Sequence, residues 1–394
     1  MSVGGTDRRS MAREGDADRS VAVVGAGAFG ATVADELTRR GASVRLYERG
    51  SIGSGASGRA AGLCYAAATD PLSAEIATES IEAFRARAGP DTFEFTECPY
   101  VWLARAADER RIEAIESAVE TMQSRGLAVA LAGPDALSER FPAIETDDVG
   151  VAAVAGAAGY LDPGAYTAAV VASLRERGGE VRLETPVSLA LDPLGVVPTN
   201  GGDETVHPDA VVLAAGAHTP SLLAAVGIQV PVVPYRVQAL TAGVELAASD
   251  PDDVPMCYDA TDGSYFRPHS TGLLAGNGSE DVPSDPDAYR RGADPGFPER
   301  LAERVAGRLR ARTVSVESAW AGLCTATADG DPLVGEIAPG LFVATGFQGH
   351  GLMRTPAIAR RLAAEVLGGD GIPQFDPGRF DGDEPVEITE GMAI

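Results

Sequence analysis

Gly25, Gly27 and Gly30 stand at GxGxxG spacing in VVGAGAFG, and Glu48 follows Gly25 by 23 residues. The first glycine permits a tight turn, the second lets a diphosphate approach the backbone, and the third lets a helix pack on a strand. The helix that opens at Ala28 and Phe29 turns unpaired N–H groups toward the phosphates. A carboxylate at the end of the next strand can accept bonds from an adenosine ribose, and its charge argues against a 2′-phosphate. The chemistry these residues offer is dinucleotide binding.

A second group of residues decides which dinucleotide. After Glu48 and Arg49 the chain does not enter another helix, as an NAD domain would. It enters a loop of short side chains, RGSIGSGASGRAAGL, that carries Ser57, Gly58, Arg59, Ala61 and Gly62. Such a loop can wrap a long, bent cofactor, which favours FAD. Near the C-terminus, GFQGHGLM places Gly346, Gln348, Gly349, His350, Gly351, Leu352 and Met353 before an apolar helical pattern. Thr355 is expected to cap that helix, Pro356 to sit in its first turn, and Gly368 to close it. The strand AVVLAAGAHT brings Ala215 and Gly216 toward the same object.

The elements that must hold these groups follow from periodicity. Residues 20–24 and 43–47 read as strands around a helix over 28–40, which makes one βαβ unit. Helices are predicted over 72–88, 107–125, from 163 to 178 and over 297–311, with strand pattern across FEFTECPYVWLARA. Dinucleotide-type segments recur at the start, middle and end of the chain. The expected architecture is α/β: a Rossmann-like FAD-binding domain, a parallel sheet with helices, interleaved with a mainly antiparallel-sheet substrate domain. The expected boundaries are 20–95, 147–228 and 322–371 for the cofactor domain and 96–146 and 229–321 for the substrate domain. Residues 1–19 read as a flexible N-terminus, and 372–394 as an acidic tail.

Composition limits the partners. With 57 acidic against 32 basic residues, the net charge is −25, so nucleic acid and anionic lipid are disfavoured. Every basic residue is arginine, because the chain has no lysine. An acidic, lysine-free chain points to a high-salt cytoplasm. The four cysteines, Cys64, Cys98, Cys257 and Cys324, are scattered away from any histidine, so neither a metal site nor a disulfide framework is expected. No apolar run reaches the ~18 residues of a membrane span, and no export signal opens the chain. A cytoplasmic protein is the expectation.

Four stretches, VVGAGAFG, GASGRAAGL, VVLAAGAHT and the long run from Gly322 to Val366, resemble the FAD-dependent amine oxidoreductases. That group includes D-amino acid oxidase, glycine oxidase, and sarcosine and dimethylglycine oxidases or dehydrogenases. The likeness covers about half the chain, the cofactor half. It implies FAD, with Val187 after ETP at the place where relatives hold adenine by backbone groups. It also implies that the flavin ring meets the positive end of the last helix. In relatives an arginine that clamps the substrate carboxylate falls where this chain has Cys324, and the attachment cysteine of sarcosine oxidases falls at Gly322. Non-covalent FAD is therefore expected, and the carboxylate clamp must come from elsewhere. Arg354 is preferred for its place beside the glycine loop, then Arg267, with Arg236 also a candidate. His350 is expected to polarise the flavin or take the amine proton, since imidazole titrates near neutrality, or else to be a satisfied loop histidine. Tyr265 and Tyr235 are candidate pocket walls.

The expected reaction is oxidation of a C–N bond in a small amine-bearing acid, an amino acid or N-methyl amino acid, by hydride transfer to flavin N5 and hydrolysis of the imine. Relatives use a lysine over the flavin to promote reaction with oxygen. Here either an arginine or histidine replaces it, or electrons leave to an unknown acceptor other than oxygen. Two other readings stay open: an FAD-dependent 2-hydroxy acid dehydrogenase, and a non-catalytic FAD-binding assembly factor.

Overall fold

The computed structural model of the protein describes residues 19–201, 204–247 and 253–389. The stretch expected to be flexible before Arg19 lies outside the described residues.

The run Val-Ala-Val-Val is apolar on both faces, the signature of a central parallel strand. It forms β1 (Ser20–Val24) in a six-stranded sheet with β2 (Ser43–Tyr47), β9 (Glu180–Arg182), β12 (Ala210–Leu213), β18 (Leu333–Ala338) and β19 (Leu341–Thr345). The order is β18-β19-β12-β1-β2-β9, parallel except for the β18–β19 pair. One face is covered by α1 (Ala28–Arg39), α2 (Pro71–Arg87), α5 (Pro163–Glu176) and α8 (Gly351–Val366), with Val33, Leu37, Phe84, Tyr166 and Leu362 fully buried between them. The other face is covered by the hairpin β10 (Val187–Leu191) and β11 (Leu194–Pro198) and by α6 (Thr219–Ala224).

A second, mainly antiparallel sheet runs β17-β13-β16-β15-β14-β5-β7-β6. Its members are β5 (Tyr100–Arg105), β6 (Val129–Ala132), β7 (Val149–Ala155), β13 (Val232–Leu246), β14 (Met256–Asp259), β15 (Ser264–His269), β16 (Gly272–Pro283) and β17 (Ala311–Thr327). Its strands alternate, as a two-sided sheet requires. Val101 and Leu103 face a core with α4 (Pro134–Arg140) and α7 (Phe297–Arg308), whereas Tyr100 and Trp102 face a core with α3 (Glu109–Ser124). A small sheet, β3 (Leu63–Tyr65), β8 (Ala158–Leu161) and β4 (Phe95–Glu97), lies between the two large ones in the chain path. The expected strand over FEFTECPYVWLARA is thus two strands in different sheets.

Three expectations are corrected. β7 falls in the 147–228 segment assigned to the cofactor domain, yet it pairs with β5 and β6 in the antiparallel sheet. The last helix begins at Gly351 with His350 as its N-cap, well before Thr355. Positive φ at Gly346, Gln348 and Gly349 turns the chain hard enough to start the helix there. Thr355 is then an interior residue whose Oγ1 donates to the Gly351 carbonyl at 2.6 Å, and Pro356 packs inside the helix. Finally, the segment from 372 is not simply an acidic tail. Ile372 and Phe375 are buried in the cofactor-side core, and Arg379 makes a two-pronged ion pair with Asp329 at 2.8 and 3.0 Å. Phe375→Ala should therefore lower unfolding free energy by about 3–5 kcal/mol, as other buried Phe truncations do. Chemical denaturation checks this, and a loss within a few tenths of a kcal/mol would show the segment to be undocked in solution.

Candidate functional site

Three separated segments meet where β1 ends. Gly25 N–H donates to the Tyr47 carbonyl at 2.8 Å, and its φ of +108° suits only glycine. A Cβ on Gly30 would fall 1.9 Å from the Gly25 carbonyl oxygen, so the third glycine is needed for helix to meet strand. Gly27, the N-cap of α1, has no side chain to cap the helix itself, so first-turn N–H groups are left for other partners. Ser57 joins them by accepting the Ala28 N–H at 2.9 Å. Glu48 accepts the Ala26 and Gly50 N–H groups at 2.9 and 2.8 Å, one on each oxygen, and keeps further lone pairs for ribose hydroxyls. Ala214 N–H reaches the Val24 carbonyl, and Thr345 Oγ1 reaches the Gly216 carbonyl at 3.4 Å. Phe29 stands 5.1 Å from Phe347, ring to ring, which ties the first glycine turn to the last. Gln348, 6% exposed, leaves its Oε1 without a partner among the described residues. A buried orphan acceptor and a helix N-terminus with no cap of its own fit a bound dinucleotide.

The other residues expected at the cofactor have these surroundings. Arg49 pairs with Asp287 at 2.9 Å, and the same carboxylate takes His218 Nε2 at 3.1 Å. Met353 is buried in the core, so only its backbone can face the cradle. Gly58 lies on the exposed side of the loop, and Gly62 is held by the Leu161 backbone. Val187 opens β10, where Thr185 N–H bonds the Glu48 carbonyl just before it. Gly351 and Leu352 form the first helical turn, and the Ala61 carbonyl is taken by Arg267.

On the other side of the glycine loop stands Arg354, in the first turn of α8. Its guanidinium has no hydrogen-bond or ion-pair partner among the described residues, and burial holds its pKa below the usual arginine value against the through-space pull of Asp331 and Asp70. Arg236 is the opposite case. It binds Glu280, Asp294 and the carbonyls of Arg290 and Gly292, beside a surface cleft of about 480 Å³. Its place as a substrate clamp is withdrawn, since its donors are satisfied by two acids and two backbone carbonyls.

His350 is pushed down to about 3, first by burial and then by the neighbouring Arg354 cation. Even half that displacement leaves the ring neutral at pH 7, so the expectation of titration near neutrality is corrected. Its Nε2 lies 3.1 Å from the Tyr65 hydroxyl. With a folded pKa below the free value of 6.5, the unfolded chain takes up a proton that the folded chain refuses. Stability from this residue is complete above pH 6.5 and falls as pH drops toward 3. His350→Gln should flatten that part of a Tm-against-pH curve, and an unchanged curve would place the ring in open solvent.

Tyr65 and Tyr160 were missed by sequence reading. Tyr65 stacks on Tyr100 at 4.2 Å, and Arg267 lies 4.7 Å over Tyr160. Leu-Cys-Tyr, a short alternation inside an Ala/Gly-rich stretch, was the signal for β3. Cys324 faces Gly349 and hydrogen-bonds Tyr235, and burial pushes its thiol up to about 11, so it is no ready nucleophile. No cluster of metal-ligating side chains occurs among the described residues, nor a helix long and apolar enough to cross a membrane.

Such a turn of glycines, with an acidic residue at the end of the next strand, fits a dinucleotide-binding protein. Comparison with known families makes the class specific. The description "FAD dependent oxidoreductase" matches residues 20–365, and the chain belongs to that family, with FAD as cofactor. It is 28% identical over 384 residues to 4-methylaminobutanoate oxidase (formaldehyde-forming) of Paenarthrobacter nicotinovorans, a match spanning 91% of this chain and 44% of that protein. It is 27% identical over 366 residues to glycine oxidase of Geobacillus kaustophilus, covering 88% of this chain and 92% of the relative. The chain thus spans about half the length of some curated relatives, 44% and 55% for two of them. Among solved structures, glycine oxidase from Geobacillus kaustophilus superposes with TM-score 0.81 at 25% identity, covering 93% of this chain and all of the other. L-proline dehydrogenase from P. horikoshii gives 0.82 at 23% identity over 93% and 99%, a likeness of fold.

Proposed function

We propose that the protein oxidises the C–N bond of a small amino acid or N-methyl amino acid, with Arg354 holding the substrate carboxylate. The observation that carries this is Arg354 itself: a guanidinium without an acid partner, in a chain rich in acids, beside the loop that faces the cofactor. An arginine so placed is made whole by an anion from outside, and its planar fork matches a carboxylate. FAD, when bound, supplies the two-electron acceptor for hydride leaving the carbon next to nitrogen. Arg354 fixes the carboxylate, and the Tyr65–His350 pair offers the amine a neutral polar edge. Tyr265 contributes to an aromatic wall. A neutral, weakly basic His350 is a poor acceptor for an ammonium proton, so the substrate reacts as its free amine. It is a poor base for a 2-hydroxy acid as well, which removes support from that alternative.

An anaerobic panel of amino acids, N-methyl amino acids and 2-hydroxy acids, read by bleaching of the flavin absorbance in high salt, tests the proposal. Bleaching by an amine-bearing acid is expected, with kcat/KM rising tenfold per pH unit until the substrate amine is deprotonated. Bleaching by 2-hydroxy acids alone, or by nothing in the panel, would overturn it.

A further inference from the structure

The buried arginines of the antiparallel sheet and of α7, which covers it, divide by their partners. Arg236, Arg267 and Arg308 are each 5% exposed. Arg236 meets Glu280 and Asp294, and Arg308 meets Asp148 and Asp259. Arg267 meets no acid among the described residues. Its Nε donates to the Ala61 carbonyl at 2.5 Å and its Nη1 to the Pro268 carbonyl at 2.6 Å, both neutral acceptors. A guanidinium carries five N–H donors, and Nη2 has no acceptor among the described residues. Burial lowers its pKa, as expected of a cation without a counter-charge. Asp162 acts on it through space without forming an ion pair, so in a chain with 57 acids and 32 arginines this buried guanidinium is left without a contacting carboxylate.

Its position connects it to the site already described. On β15, Phe266 faces the core under α7, while Tyr265 and Arg267 share the opposite face. That face meets the small sheet, where Arg267 lies over Tyr160. Tyr160 pairs in register with Leu63, two residues before Tyr65, whose hydroxyl reaches His350 at the foot of α8. Arg267 is thus tied to the Leu63 end of β3 through Tyr160, and Arg354, four residues after His350, to the Tyr65 end, neither in an ion pair among the described residues.

We infer that Arg267 is a second anion subsite, and that the substrate is an amino acid bearing two carboxylates, one held by Arg354 and the other by Arg267. Amino dicarboxylic acids and N-carboxyalkyl amino acids have this chemistry. The inference rests on the Arg354 reading, extends it to a substrate class, and leaves the oxidation step unchanged. The two bonds to backbone carbonyls hold the guanidinium in place, so its remaining donors are already oriented.

The test uses the FAD-loaded protein and non-oxidisable probes at fixed ionic strength: acetate and propionate against succinate, glutarate and adipate. Binding is followed by flavin difference spectra and by Tm. One dicarboxylate should bind about 10- to 100-fold more tightly than the monocarboxylates, as expected for a second charged hydrogen-bonded contact. Arg267→Gln should bring that dicarboxylate down to the monocarboxylate level, and Arg267→Lys should restore part of the difference. Arg354→Gln should weaken both kinds of probe. Equal binding of both kinds by the parent protein, or a preference that survives in Arg267→Gln, overturns the second subsite and leaves the Arg354 reading standing. Lower flavin content in both Arg267 variants, with the preference intact, makes Arg267 an anchor of the 57–62 loop only. Failure of every probe to bind overturns both readings.

Discussion

Arg354→Ala should lower kcat/KM for the amino-acid substrate by roughly 10²- to 10³-fold while the protein keeps its yellow colour. Removing one partner of a desolvated, hydrogen-bonded charge pair costs about 2–5 kcal/mol, and each 1.4 kcal/mol is tenfold. The loss should fall mainly on KM, because a carboxylate remote from the breaking bond is held alike before and during reaction. Arg354→Lys should recover only part of it, since an ammonium cannot reproduce the planar fork. The same site predicts an opposite effect on stability. Without ligand, Arg354 is a largely desolvated cation with no ion-paired acid among the described residues, Asp331 and Asp70 acting on it only through space. Arg354→Met, similar in reach and uncharged, should raise Tm of the ligand-free protein even as it abolishes substrate affinity. Stopped-flow flavin reduction and thermal unfolding measure the two effects. A KM within twofold of the parent value would exclude Arg354 from the carboxylate site.

How far the sequence could be read depended on whether the deciding contact was local. The bounds of β1 and β2 were legible because an apolar run between Ser20 and Gly25, and a Ser-Val-Arg-Leu-Tyr alternation soon after Gly41, leave little choice. The start of α8 was not. Thr355-Pro356 is a common opening pair, but three loop residues with positive φ, at 346, 348 and 349, begin the helix earlier. Acidic composition concealed Ile372 and Phe375, which dock the C-terminal segment, because two apolar residues hardly alter a local average. Sheet membership of β7 was invisible, since alternation states that a strand has two faces and not which strand lies beside it. In the site, the glycines and Glu48 declare themselves by spacing. The arginines do not: Glu280 lies 44 residues from Arg236, and nothing local separates that paired cation from Arg354. The depressed His350 was equally hidden, because desolvation belongs to the fold and not to neighbouring letters.

Gly30→Ala should yield a protein without bound flavin and with a clearly lowered Tm. The added Cβ would sit 1.9 Å from the Gly25 carbonyl oxygen and 3.1 Å from its carbon, both backbone atoms that no rotamer change can move. Gly25 cannot yield in compensation. It holds φ +108°, and its own far side is closed by the Ala214 carbonyl, 2.4 Å from where a Cβ would point. The helix must therefore move off the strand, which opens the packing of Ala31 and Ala34 against the sheet and costs about 1–3 kcal/mol as overpacking. The same motion carries the α1 N-terminus away from the cradle and pulls Phe29 from Phe347, so the disturbance reaches the loop that ends at His350. Gly27→Ala separates these effects. Its Cβ would meet only Ser57 Oγ, at 3.1 Å, so the fold should stand with Tm near that of the parent protein. Its methyl group instead enters the space a diphosphate needs, and FAD affinity should fall with structure intact. Flavin-to-protein absorbance ratios after gel filtration, read beside Tm, distinguish the two variants. Full flavin content in Gly30→Ala would mean that the turn at the end of β1 does not hold the cofactor.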